Sequence, residues 1–240
     1  MKNKLLILIK SHDNRYANYH NELYSNLEII SRAYTSKFEN VDAFYLKANP
    51  NLESNVVIED NNFWIKHQEN YNICLRSKVI TSLKYFFIEK KDYSHVFVTN
   101  LSTFCNIKNI LLYCDKIQQS DTAYATIGLN GIKNVHFPSG AGMLMSRNLI
   151  LQLLDKERQF DYNKAFPADD VFLGQLIKHN GTFLEKMERV NILHRQNFSQ
   201  NVNIYVNCTH VRIKMNPRSQ EEIQIQKELV KIVYGLRINI

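Results

Sequence analysis

The sequence predicts an α/β fold: one domain with a mostly parallel central sheet flanked by helices. Three observations predict it. A continuous apolar run, Leu5-Leu6-Ile7-Leu8-Ile9, opens the chain, as expected of a parallel strand covered on both faces. Strand-like and helix-like segments then alternate along its length. One unit, His95 to Leu112, reads as strand, short polar turn and helix, a βα arrangement whose turn often holds a ligand.

Each element has its own warrant. After the first strand, Ser11-His12-Asp13-Asn14-Arg15 occupies the carboxyl end, where ligands of open α/β sheets bind. Residues 19–34 place Leu23, Leu27, Ile30 and Tyr34 on one helical face. Val41 to Leu46 reads as a second strand, and Val56-Val57-Ile58 as a short third one. From Asn70 to Lys90, Ile73, Val79, Ile80, Leu83, Phe86 and Phe87 recur at helical spacing, with Arg76 and Lys78 suited to the surface. His95 to Asn100 is a strand, a helix begins near Ile107, and Thr122 to Ile127 is a further strand. Phe137 to Ser146 contains Gly140-Ala141-Gly142, where two glycines let a backbone come close to another group. Ser146 is the N-cap of a helix over 147–154. Pro167 precedes Asp169-Asp170, either of which can cap a helix that runs from Val171 to Lys178 and stops at Asn180-Gly181. Asn203 to Asn207 reads as a strand, and Ser219-Gln220-Glu221-Glu222 as a capping box before a last helix ending near Tyr234.

The 240 residues suit one sizeable domain, and 45% hydrophobic content is that of an ordinary globular chain needing no disulfide or metal staple. Four cysteines, Cys74, Cys105, Cys114 and Cys208, form no CxxC pair, which fits reduced thiols in the cytoplasm. The amino-terminal apolar run is too short for a signal peptide, and no stretch is apolar enough to span a membrane. The net charge of +7 is spread over scattered Lys and Arg with no basic helix. That argues against a nucleic-acid partner and leaves attraction to a phosphorylated small substrate or peripheral contact with an anionic membrane. The Asn- and Lys-rich composition suits an AT-rich bacterial or viral genome.

Four segments, in order, resemble the β-1,3-galactosyltransferase and fringe-like superfamily of GT-A glycosyltransferases. Asn70-Tyr71-Asn72-Ile73 through Lys78 resembles its Asp-Ser-Tyr-x-Asn-Leu-x-x-Lys helix. Val96 to Phe104 lies where that family has a strand ending in a DxD turn followed by Thr-Phe. Pro138 to Ser146 resembles its Gly-Gly-Gly-Tyr-Val-Leu-Ser segment, and Asp169-Asp170-Val171-Phe172-Leu173-Gly174 its Glu-Asp-Val-Phe-Leu-Gly motif. The resemblance covers residues 55–185 and implies a single GT-A (Rossmann-like) domain over 1–240. Residues 1–130 would be its nucleotide-sugar half and 131–240 its acceptor and catalytic half.

The resemblance implies a transferase moving a sugar from a nucleotide-sugar, such as a UDP-sugar, to a hydroxyl of a glycan or glycoprotein. Asp170 falls on the base position, with inversion at the anomeric carbon, and Asp169 beside it can raise its pKa by like charge. Ser11, His12, Asp13 and Arg15 would border the nucleotide. Lys78, Thr99, Asn100 and Ser102 would meet the donor, and Gly140 and Gly142 a sugar. One departure stands out. The DxD turn normally supplies carboxylates to Mn²⁺ or Mg²⁺, hard cations that take oxygen ligands, but here it reads Asn100-Leu101-Ser102. This Thr99-Asn100-Leu101-Ser102 turn resembles that of a bacterial and viral subset. A late histidine often contacts the metal or diphosphate in such enzymes, which makes His210 the metal candidate. Arg212 and Lys214, at strand spacing from it, would neutralise phosphate oxygens. The competing expectation is an inactive GT-A-like protein that binds a sugar or nucleotide, or scaffolds a partner.

Overall fold

The computed structural model describes residues 4–11, 21–69, 73–90, 92–117, 121–131, 134–198, 201–215 and 218–240. The strands are β1 (Leu5–Lys10), β2 (Val41–Ala48), β3 (Val56–Glu59), β4 (Asn62–Ile65), β5 (His95–Asn100), β6 (Thr103–Cys105), β7 (Ala123–Asn130), β8 (Val135–Ser146), β9 (Leu184–Lys186), β10 (Arg189–Ile192) and β11 (His210–Ile213). The helices are α1 (Asn21–Thr35), α2 (Ile73–Lys84), α3 (Ile107–Ile117), α4 (Arg147–Arg158), α5 (Asp169–Asn180), α6 (Asn203–Asn207) and α7 (Glu221–Tyr234). α2 continues as a wider π-helical turn over Tyr85–Lys90.

The main sheet has the order β3-β4-β2-β1-β5-β8-β7-β9, and a small second sheet the order β10-β11-β6. β1 lies parallel to β2 on one side and to β5 on the other, so the apolar opening run is the centre of the sheet. Its residues 5–9 are buried with at most 2% exposure. Alternation divides them between two cores. Leu5, Ile7 and Ile9 pack with residues of α1, α3 and α7, and Leu6 and Leu8 with residues of α2, α4 and α5. Each such side chain contributes roughly 1.5–3 kcal/mol on burial, which fixes β1 as the axis around which the layers form. The continuous run was the right signal because helices cover both faces.

The fold is α/β with a mostly parallel central portion, as the pattern predicts. Four local expectations are corrected. A hairpin partner, β4, follows β3 through Asp60 and Asn61, both at positive φ (48° and 59°), a two-residue turn that Asp and Asn tolerate. Residues 203–207 form a helical turn rather than a strand: the Asn201 side chain accepts from the Asn203 amide at 3.2 Å, and only Tyr205 is buried. The full capping box before α7 does not form: Gln220 is the N-cap with no side-chain cap bond, and only the Glu222 bond to the Ser219 amide is present. Glu222 instead turns into the core, accepting from the Met215 amide at 3.1 Å and pairing with Arg218 at 2.7 Å. Lys78 is not a surface residue: it is fully buried. Elsewhere the caps hold, with Ser146 accepting from the Leu149 amide at 3.2 Å.

Candidate functional site

The site begins where the strand order turns. The chain passes from β1 to β2 on one side and β5 lies on the other, so a crevice opens beyond their carboxyl ends. Lys10, the last residue of β1, is the register partner of Asn100, the last residue of β5. Two further elements reach this crevice, the middle of β8 and the amino end of α5.

β8 arrives there because its pairing with β7 shifts register: Ala125 faces Met143, yet Ile127 faces Pro138. Ser139 to Gly142 therefore leave that ladder and bond to the end of β5. Thr99 Oγ1 donates to Ala141 O at 2.9 Å, and Asn100 Nδ2 to Gly140 O at 3.2 Å. The two glycines are there for contact. A Cβ on Gly140 would lie 2.5 Å from Lys10 Nζ, and one on Gly142 2.6 Å from His210 Nε2.

α5 is set by its approach. Gln175 accepts from the Phe166 amide at 2.8 Å and donates to Lys164 O at 3.0 Å, holding the loop ahead of the helix. Arg76 lies over the Tyr162 and Phe172 rings and donates to Phe166 O at 3.3 Å. The N-cap is Ala168, with no side-chain cap bond, so the expected capping role of Asp169 or Asp170 is corrected. Both aspartates sit in the first helical turn instead, where negative charge is favoured by the helix dipole. Asp169 turns inward to Lys10, Oδ2 to Nζ 2.8 Å, with each side chain 7% exposed. Asp170 accepts from the Val171 amide at 2.9 Å and points its other oxygen at the Gly140 amide, 3.4 Å away. Burial, then the neighbouring Asp169 charge, push the Asp170 acid above the ordinary carboxylate value against the pull of Lys10. A carboxylate so placed has the properties of a general base.

The remaining predicted residues divide into those in the crevice and those bound elsewhere. Asn100 is at its rim with its side chain fully engaged: Oδ1 accepts from Ser102 Oγ at 2.8 Å and Thr103 Oγ1 at 2.9 Å. Thr99 and Ser102 are buried staples of the same turn. Ser11 is buried and donates to Glu28 at 3.1 Å. Lys78 lies beneath the crevice, donating to the Ser11 carbonyl at 2.8 Å and to both Glu69 oxygens at 2.7 Å. His12, Asp13 and Arg15 lie outside the described residues. His210 is fully buried against the Phe97 ring, its Nδ1 shared with Thr209 Oγ1 at 2.9 Å and its Nε2 without a partner among the described residues. Burial and the Arg189 charge push its pKa down to about 3, so it is neutral. Arg212 is half-buried on β11, register partner of Thr103, and Lys214 is exposed just beyond that strand.

Two residues were not anticipated. Lys10 could have been found only as the first charge after the apolar strand, at the end where ligands bind. Arg189, on β10, donates to Ser139 Oγ at 2.6 Å, and no sequence signal marked it.

A divalent cation does not fit these donors. Asn100 offers no charge and its oxygen already takes two hydroxyls; Asp169 is committed to Lys10. Among the described residues no group of three His, Cys, Asp or Glu side chains could hold a metal ion.

No family model matches the chain, and no curated protein matches it by sequence. Among solved structures it is similar to the galactosyltransferase LgtC in complex with donor and acceptor sugar analogues, at 10% identity and a TM-score of 0.50 over 98% of this chain and 97% of that one. A synthase of 4-diphosphocytidyl-2C-methyl-D-erythritol from Anaerococcus prevotii gives 11% identity, a TM-score of 0.49, and 96% and 100% coverage. A glycosyltransferase involved in glycosylation of the major capsid of PBCV-1 gives 9%, 0.48, and 94% and 98%. The likeness to LgtC shows the fold: this chain shares the α/β architecture of that galactosyltransferase.

Proposed function

We propose that the protein is a glycosyltransferase that moves a sugar from a nucleotide-sugar, such as a UDP-sugar, to a hydroxyl of a glycan or glycoprotein, with inversion. The observation that carries the reading is Asp170: a carboxylate with a raised pKa, at a helix amino end, over the crevice at the sheet's switch point. Asp170 takes the proton of the acceptor hydroxyl as the anomeric centre gains oxocarbenium character. Lys10 pins Asp169, so the Asp169 charge stays beside Asp170 and keeps it basic. The Gly140 amide orients the second Asp170 oxygen. Positive groups on the leaving diphosphate complete the requirement.

In this reading residues 1–130 bind the nucleotide and residues 131–240 supply the base and the acceptor side. Lys78 acts through the loop after β1 by fixing the Ser11 carbonyl. The cytoplasm is the compartment that four buried free cysteines favour. Among the described residues no helix is long and apolar enough to cross a membrane.

The test is transfer from a panel of nucleotide-sugars to glycan acceptors, wild type against Asp170→Asn. Turnover that drops by about 10²–10⁴ in the variant supports the base. Turnover within a few-fold of wild type removes Asp170 from that role. Tight nucleotide-sugar binding with no transfer to any acceptor favours the inactive binding protein.

A further inference from the structure

We propose that Arg189 and Arg212 form the seat of the donor's diphosphate, and that this guanidinium pair neutralises the leaving group in place of a divalent cation. The proposal rests on the reading of the crevice as a nucleotide-sugar site. Arg189 lies on β10 opposite His210 of β11, and Arg212 lies two residues along β11 from His210. Arg189 reaches Ser139, beside Gly140, by a 2.6 Å bond from its guanidinium. Arg212 stands opposite Thr103, whose hydroxyl donates to Asn100. Both cations thus border the two backbone segments that frame the crevice.

What singles the pair out is missing compensation. The Nε atoms of both are shielded from solvent and have no hydrogen-bond partner among the described residues. The deeply placed lysines of this protein each meet a carboxylate: Lys10 with Asp169, Lys47 with Glu28, Lys78 with Glu69. Among the described residues Arg189 and Arg212 meet none. They lie on the same face of the small sheet instead, and burial with the Arg212 charge pushes Arg189 down to about 10. Two half-buried like charges held together cost stability unless an anion joins them. Guanidinium forks match phosphate oxygens in bidentate geometry, and two of them suit a diphosphate rather than a single oxyanion. The same two charges repel a Mn²⁺ or Mg²⁺ from this corner, in agreement with the saturated oxygen of Asn100.

The experiment is calorimetric titration of the full chain with UDP, inorganic pyrophosphate and inorganic phosphate, in EDTA and again with Mn²⁺, alongside thermal unfolding. In EDTA, UDP and pyrophosphate are expected to bind more tightly than phosphate, with Mn²⁺ changing the affinity less than about two-fold. R189Q and R212Q should each weaken pyrophosphate binding by about 10- to 100-fold, as loss of a charged hydrogen bond does. Without anion both variants should unfold at the wild-type temperature or above it, because the repulsion is gone; a merely structural arginine would lower it. Binding that requires Mn²⁺, variants that bind like wild type, a lowered unfolding temperature in both anion-free variants, or phosphate binding as tightly as pyrophosphate would each overturn the proposal. No sugar or acceptor is present in the titration. Failure of transfer from every donor, with pyrophosphate still bound through the pair, would therefore sink the transferase reading and leave the seat intact.

Discussion

Beneath the crevice, Lys78 is completely buried, yet its ammonium meets both oxygens of Glu69 and the Ser11 carbonyl. Beside the crevice, Arg189 and Arg212 are only half-buried, yet they share one face of the small sheet and meet no carboxylate among the described residues. Burial alone would rank Lys78 as the more unusual cation. Compensation reverses the ranking: a buried charge with all its partners is part of the scaffold, and one lacking them marks a place built for something else. The carboxylates repeat the contrast within one helical turn. Asp169 has its cation at 2.8 Å, whereas Asp170 among the described residues has only backbone amides, and its pKa is raised.

The contrast can be broken at several points. The largest effect is expected at Asp170, where Asn should cost about 10²–10⁴ in turnover, measured with saturating donor and acceptor. The same change should not harm the fold. The acid is held above its ordinary value, so its stabilising contribution is full below the unfolded-state value and is lost as pH rises through the folded one. Urea unfolding of Asp170→Asn should therefore show a gain over wild type at neutral pH that vanishes in acid.

Next comes Lys78→Met, which keeps bulk but strands Glu69, whose side chain is 11% exposed. Breaking such a pair costs about 3–5 kcal/mol, a fall of about 10 °C in a domain of this size. An unchanged melting temperature would mean that the pair does not contribute to the fold.

The glycines differ in what a methyl would meet. Gly142→Ala would put a methyl 2.6 Å from His210 Nε2 and 2.8 Å from the Phe97 ring, both in the core, costing about 1–3 kcal/mol in thermal unfolding. Gly140→Ala meets chiefly the flexible end of Lys10 at 2.5 Å. It should lower turnover and thermal stability together, because Lys10 must move within its buried pair with Asp169.

The smallest effect is electrostatic. Burial lowers His210 to about 3 and His95 to about 4, so the unfolded chain takes up protons that the fold refuses. Their contribution is full above the unfolded-state value near 6.5 and is lost as pH falls toward those numbers. His95→Gln should flatten that part of a stability profile between pH 7 and 4 measured by urea unfolding.

Much of the fold was legible because it depends on local repetition. The run Leu5 to Ile9 could be read as a two-sided strand, and Leu23, Leu27, Ile30 and Tyr34 as one helical face, all four now buried. Residues 203–207 misled because five residues with alternating Ile and Val carry strand propensity, while the Asn201 turn that decides their conformation is local hydrogen bonding. The Ser219 to Glu222 pattern misled because Glu222 was drawn to Arg218 and the Met215 amide, partners that no cap motif registers.

The site was legible only in part. Asp169-Asp170 and Gly140-Ala141-Gly142 stood out as motifs, and both border the crevice. Their division of labour did not show. The sequence by itself determined most of the strands and helices, though not residues 203–207 or β4, that the first apolar run is a two-sided strand, and that two carboxylates head a helix, since periodicity and capping chemistry act over a few residues. Tertiary structure alone decided that Lys10 pairs with Asp169 across 159 positions and that Asp170 is bonded to backbone amides instead. It alone set Arg189 beside Arg212 and buried Lys78 with Glu69. Charge compensation depends on distance in space and on local dielectric, and neither quantity is written in the order of residues.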